Sequence, residues 1–172
     1  MNITLSIASV TAALLSLAAP AARAADCTLN IEANDEMQFN QRQLQVDAGC
    51  ETVTVTLKHA GTLTRNVMGH DWVLARTADV GALVNAGMSA GLAHNYQTGN
   101  DPRILASTPV VGGGESSTIS FSTAKLQPGG DYSFFCTYPG HSVMMKGAFV
   151  FGDRSGRRVA TAALAKPATA AP

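Results

Sequence analysis

The segment ETVTVTLK, Glu51 to Lys58, alternates Val53, Val55 and Leu57 with Thr52, Thr54 and Thr56. A period of two puts the apolar side chains on one face of an extended strand and the threonines on the other, a pattern that a helix of about 3.6 residues per turn breaks up. The same beat recurs in SSTISFS, Ser116 to Ser122, through Ile119 and Phe121. The aromatic-rich run DYSFFCTY, Asp131 to Tyr138, puts Cys136 on the face shared by Tyr132 and Phe134. Lys146 to Phe151, Asp71 to Arg76 and Leu29 to Ala33 are further expected strands, with Gly112-Gly113-Gly114 and Pro128-Gly129-Gly130 as turn signals. One-sided strands must cover one another, so an all-β sandwich is expected. One stretch breaks the beat. Between Thr77 and Tyr96, residues Val80, Leu83, Val84 and Met88 fall at helical spacing, with Asp79 in a first turn and Gly91 as a stop. A helical insertion is therefore expected around residues 77–96.

The ends read differently from the middle. Residues 1–24, MNITLSIASVTAALLSLAAPAARA, hold a short apolar run from Leu5 to Ala19 and finish in Ala22-Arg23-Ala24. That is the pattern of a secretory signal peptide cut after Ala24, and the run is too short to span a bilayer. Residues 153–172 are rich in Ala and Pro and poor in large apolar groups, which predicts a disordered basic tail. Between them, residues 25–152 form one expected domain. It carries seven Lys and Arg against eleven Asp and Glu, a net of −4, and the tail carries four against one, a net of +3. No basic patch interleaved with aromatics appears, so nucleic acid is excluded as a partner.

Export implies an oxidising compartment in which disulfides persist. Three cysteines allow three pairings, and arithmetic alone selects none. Cys27 and Cys50 flank an expected strand and turn, so they read as a staple worth about 3 kcal/mol. That leaves Cys136, which opens CTYPGHSVMMKG, Cys136 to Gly147. Five residues on stands His141, and four further stands Met145. Zinc sites more often show paired Cys-x-x-Cys or several histidines. A thiolate, imidazole and a thioether suit copper, and two His plus one Cys with a weak Met is the blue-copper pattern. The second imidazole must come from elsewhere. His70 is the best placed, just before an expected strand and behind Gly69, which allows close backbone approach.

At these residues the chain resembles the azurins, periplasmic members of the cupredoxin family. The resemblance rests on CTLN at Cys27, Gly69-His70, Trp72-Val73-Leu74 and SFFCTYPGHSVMMKG, and it spans about Ala25 to Gly152. Plastocyanin-like relatives have a shorter Cys–His spacing. The resemblance implies a Greek-key cupredoxin sandwich with the helical insertion as a flap, and one type 1 copper. It implies His70, Cys136 and His141 as equatorial ligands, with Met145 as weak axial ligand and the Gly69 carbonyl as a distant one. It implies a Cys27–Cys50 disulfide and backbone donors to the sulfur at Asp71 and Tyr138. It implies a buried, non-ligating His59, while His94 reads as exposed and Trp72 as core. It also implies an electron-entry patch of Leu63, Val67, Met68, Met88 and Met144 around an edge of His141. Partners would be c-type cytochromes and a periplasmic reductase, in transient contact, with no membrane span in the mature form.

The chain departs from its relatives in three places. Asp71 stands where the family usually has Asn, Tyr138 where it usually has Phe, and the tail from Asp153 is extra. An ionised Asp71 adds negative charge near the metal and should favour Cu(II), giving a lower reduction potential than Asn would. A protonated one would keep an Asn-like hydrogen bond. Two other functions compete with electron transfer. A copper or zinc enzyme with an open position lacks an evident general acid or base here. A copper-storage protein would favour an exchangeable Met- or Cys-rich tract over a short loop between strands. No enzymatic activity is expected.

Overall fold

A computed structural model describes residues 27–152. The expected signal peptide (1–24) and tail (153–172) lie outside the described residues. Among the described residues eight strands form two sheets. One has three strands: β1 (Thr28–Ala33), β3 (Thr52–His59) and β6 (Ser116–Ser122), in the order β1-β3-β6. The other has five: β2 (Gln43–Val46), β4 (Val73–Arg76), β5 (Ala106–Ser107), β7 (Tyr132–Phe135) and β8 (Lys146–Phe151), in the order β2-β8-β7-β4-β5. β1 runs parallel to β3, and β2 runs parallel to β8; the other pairs are antiparallel.

The alternation of Glu51 to Lys58 does what it predicts. Val53, Val55 and Leu57 are buried, and the threonines between them face outward. Thr54 and Thr56 meet Ser120 and Thr118 of β6 across the strand pair, each hydroxyl pair 2.9 Å apart. Between the sheets lie Ile31, Leu44, Val46, Leu74, Phe134, Phe149 and Phe151 around Trp72. The Trp72 ring sits 6.2–6.4 Å from the rings of Phe121, Phe134 and Phe149.

The helical insertion is shorter than its apolar pattern. Helix α2 (Val80–Ala90) is preceded by a 3-10 turn at Thr77–Asp79 and followed by another at Leu92–His94. Gly91, with φ 70°, ends the helix in a conformation that favours glycine. The helix lays Val80 and Leu83 on Val73, Ala75 and Phe135, on the outer face of the large sheet. β4 and β7 are therefore covered on both faces, which is why VLAR and YSFF lack the clean beat of β3. Met88, at helical spacing with the buried residues, is instead 50% exposed. Two strands escaped the sequence reading: β2 is four residues long and β5 only two. So did α1 (Arg65–Met68), a single turn ahead of Gly69.

Cys27 and Cys50 are bonded, joining the start of β1 to the turn before β3. The bridge closes a sequence separation of 23 residues across a parallel pair that no hairpin could join. Replacing both cysteines with alanine should therefore cost about 3 kcal/mol. Urea unfolding followed by the emission of Trp72, the single tryptophan, measures this; a midpoint equal to wild type contradicts it.

Candidate metal centre

Four segments converge at one end of the sandwich. His70 lies between α1 and β4, where it forms an isolated antiparallel bridge with Val111. Its N–H donates to the Val111 carbonyl at 3.0 Å and its carbonyl accepts from Val111 N–H at 2.8 Å. Gly69 before it is extended, so the constraint there is space. A Cβ at 69 would meet the Arg65 carbonyl oxygen and Val110 Cγ1 at 2.5 Å and Tyr138 Cε2 at 2.9 Å. Cys136 follows β7 directly, and its N–H donates to the Met145 carbonyl at 3.0 Å. His141 opens a 3-10 turn (His141–Val143) behind Gly140, and its carbonyl accepts from Met145 N–H at 2.7 Å. The loop thus closes on itself between Cys136 and Met145.

Nδ1 or Nε2 of His70 and His141 and the Sγ of Cys136 all lie within 4.8 Å of one another, and all three residues are buried. The two Nδ1 atoms are 3.3 Å apart, and Cys136 Sγ is 3.8 Å from His141 Nδ1. The Asn34 carbonyl, 2.8 Å from His70 Nε2, can only accept, so it takes the Nε2 proton and leaves Nδ1 with a lone pair. A lone pair held against another ring nitrogen and a sulfur is a place for a cation. The separations agree: ligand bonds of about 2.0 Å to nitrogen and 2.3 Å to sulfur, opened by about 110–120°, span such distances.

Burial decides the protonation of the donors. It pushes His70 down from 6.5 to about 4, opposed by the Asn34 hydrogen bond. His141 is lowered by burial too. Burial also pushes the Cys136 thiol well above its usual range, and the neighbouring Asp71 charge adds to this. Backbone N–H groups of Asp71 and Tyr138 act in the opposite direction by bonding to the sulfur. Two donors are thus neutral and ready at neutral pH, and the third gives up its proton only to a cation.

The remaining expected residues are distributed as follows. Met145 is fully buried, with its backbone tied to both Cys136 and His141. Asp71 is fully buried; its Oδ1 accepts from Thr137 N–H at 2.7 Å and its Oδ2 from the Thr137 hydroxyl at 2.5 Å. Tyr138 donates its hydroxyl to the Asn66 carbonyl at 2.7 Å, and its ring lies 4.6 Å from that of His141. His59 is buried with Nε2 2.9 Å from Asp35 Oδ1 and its ring against His70, outside the donor cluster. His141 is 4% exposed. Val67 and Val143 are 61% and 82% exposed, Leu63 and Met144 are also exposed, and Met68 is half-buried. Val67 and Met68 stand just ahead of Gly69-His70, and Val143 and Met144 just after His141.

Sequence reasoning missed Asn34, Gln97 and Thr137. Thr137 was within reach, since it sits between Cys136 and Tyr138 in the motif. Asn34 acts through its carbonyl, which carries no side-chain signature, and Gln97 comes from the irregular segment behind α2.

Comparison with known proteins agrees with this geometry. Over 130 residues the chain is 48% identical to the azurin of Bordetella pertussis, covering 76% of this chain and 87% of the relative. It is 46% identical over 129 residues to azurin-1 of Alcaligenes xylosoxydans, covering 75% of this chain and 100% of the relative. It is 46% identical over 134 residues to the azurin of Pseudomonas aeruginosa, covering 78% and 90%. Residues 25–152 match the copper binding proteins of the plastocyanin/azurin family, and the chain belongs to that family.

Proposed function

We propose that His70, Cys136 and His141 hold one copper ion, with the Met145 thioether and the Gly69 carbonyl as weak axial partners. The chain is a blue-copper electron-transfer protein. The observation that supports the ligand assignment best is the approach of two neutral imidazole nitrogens and one thiol in a buried cluster, with one nitrogen freed by the Asn34 carbonyl. When bound, copper supplies a Cu(II)/Cu(I) couple. The chain does the rest. Hydrogen bonds with Val111, Asn34 and Met145 fix the donors before the ion arrives, burial excludes water, and a site that moves little between oxidation states reorganises little. No donor in this set is free to act as general acid or base, so the centre carries electrons and transforms no substrate.

The domain consists of residues 25–152 and works in the periplasm. The signal-like residues 1–24 and a disulfide that needs an oxidising compartment support that address. Among the described residues no helix is long and apolar enough to cross a membrane. Electrons enter through the sliver of His141 that reaches the surface, flanked by Val143, Met144, Leu63, Val67 and Met68, with Met88 on the flap helix. A small apolar surface suits brief encounters with c-type cytochromes and a periplasmic reductase.

One equivalent of Cu(II) should turn the protein intensely blue through thiolate-to-copper charge transfer. Cys136→Ser should abolish the band and keep the fold by circular dichroism; a colourless wild-type protein would sink the assignment. The pH dependence has a definite sign. With His70 neutral above about 4 and burial holding His141 below its ordinary 6.5, the proton released on loading near neutrality is that of Cys136. Apparent copper affinity should then rise about tenfold per pH unit between about pH 6.5 and 7.5. Competition with a chelator measures this, and a flat profile contradicts a thiol ligand. For the entry patch, Val67→Lys should slow electron self-exchange about tenfold without altering the visible spectrum. An unchanged exchange rate removes the patch.

A further inference from the structure

Residues 95–97 form a short bridge between the 3-10 turn behind α2 and the loop to β5. Asn95 and Tyr96 both adopt the left-handed conformation, with φ 56° and 51°, so the chain doubles back there. The flap helix closes directly over it: a Cβ on Gly87 would meet the Tyr96 carbonyl oxygen at 2.0 Å. Each of the three residues touches a ligand-bearing segment. Asn95 Oδ1 accepts from Arg65 Nη2 at 2.7 Å and from Val110 N–H at 3.0 Å. The Tyr96 ring lies edge-on to Tyr138 at 5.0 Å. Gln97 Nε2 donates to Asp71 Oδ2 at 2.8 Å and to the Thr108 carbonyl at 2.9 Å.

We propose that Gln97 is a positioning residue of the metal centre, matched to an aspartate at position 71 and acting through it on the donors to the Cys136 sulfur. This rests on the reading of His70 and Cys136 as copper ligands. An amide nitrogen has two protons, and both are used. The Asp71 carboxyl accepts from Thr137 N–H, the Thr137 hydroxyl, Gln97 and, in the metal-free protein, the Cys136 thiol. No acceptor faces it among these partners, so the position calls for a group that only accepts. An asparagine there would keep its oxygen on Thr137 N–H and turn its own NH2 toward that of Gln97. Rotating the Gln97 amide would relieve that clash and set its oxygen against the Thr108 carbonyl. Either way one buried hydrogen bond is lost. Asp71, the departure from the family at a residue following a ligand, thus has its counterpart in Gln97.

The link to the metal is short. Asp71 follows His70, and Thr137 follows Cys136. Backbone N–H groups of Asp71 and of Tyr138, the residue after Thr137, bond to the sulfur. Fixing Asp71 on Thr137 fixes both of those peptides. Removing Gln97 loosens them, which raises electron density at the sulfur and favours Cu(II).

The test is a double-mutant cycle of Gln97→Met and Asp71→Asn, with Gln97→Leu as the second amide-free variant should Gln97→Met fold poorly. In the metal-free protein Asp71→Asn should lower the thermal midpoint by about 4 °C when Gln97 is present and cause no fall in the Gln97→Met background. Equal falls in both backgrounds overturn the pairing. In the copper-loaded protein Gln97→Met should lower the reduction potential when Asp71 is present and leave it unmoved in the Asp71→Asn background. Coupled midpoints with an uncoupled potential also overturn the positioning role, since Gln97 would then be only a clamp. A wild-type protein without the blue band contradicts the copper assignment instead, and the metal-free cycle still decides whether the two residues are matched.

Discussion

Two ring nitrogens stand 3.3 Å apart inside this protein, one of them a bare lone pair, with a sulfur 3.8 Å from the other. Hydrogen bonds elsewhere hold the segments that carry them. His70 is held through its backbone by Val111 and through its ring by Asn34. Cys136 and His141 are held through Met145, whose carbonyl and N–H close the loop from both sides. None of these bonds involves a metal. The geometry is therefore imposed by the fold, and the sandwich core beneath it supplies the stiffness. Leu74, Phe134 and Trp72 anchor the two strands next to the donors in the core between the sheets.

The flap helix adds a second cover. By burying Val73, Ala75 and Phe135 on the outer face, it makes β4 and β7 the interior pair of the domain. Those are the two strands adjoining His70 and Cys136. Their hydrogen bonds, Val73 opposite Phe135 and Leu74 opposite Phe134, are shielded on both sides. A site carried on doubly covered strands loses less to local fraying than one on an edge.

Much of this was legible in the residues. β3 and β6 alternate cleanly because each has a core face and an open face, so period two survives in the sequence. The donor cluster was legible in part because one short segment carries both Cys136 and His141. β4 and β7 were recognisable only by apolar content, since α2 removes their polar face. β2 and β5 are too short to set a period. The polar supports of the site stayed hidden for a different reason. Asn34 contributes a carbonyl that every residue type possesses, and Gln97 reaches Asp71 across 26 positions from a loop whose course depends on two left-handed residues. Such contacts are products of tertiary placement and leave no local mark.

The departures at positions 71 and 138 share a consequence. The Tyr138 hydroxyl bonds to the Asn66 carbonyl, tying the ligand loop to α1, the turn that delivers Gly69 and His70. The Asp71 carboxyl bonds to Thr137, tying the other side of His70 to the other side of Cys136. Phenylalanine at 138 would offer no hydroxyl for the first tie, and asparagine at 71 would make the second at the expense of Gln97. The two polar groups thus bracket the junction between the segments that carry His70 and Cys136, one toward solvent and one in the interior. Ties across that junction hold the empty geometry close to the filled one, which keeps reorganisation small.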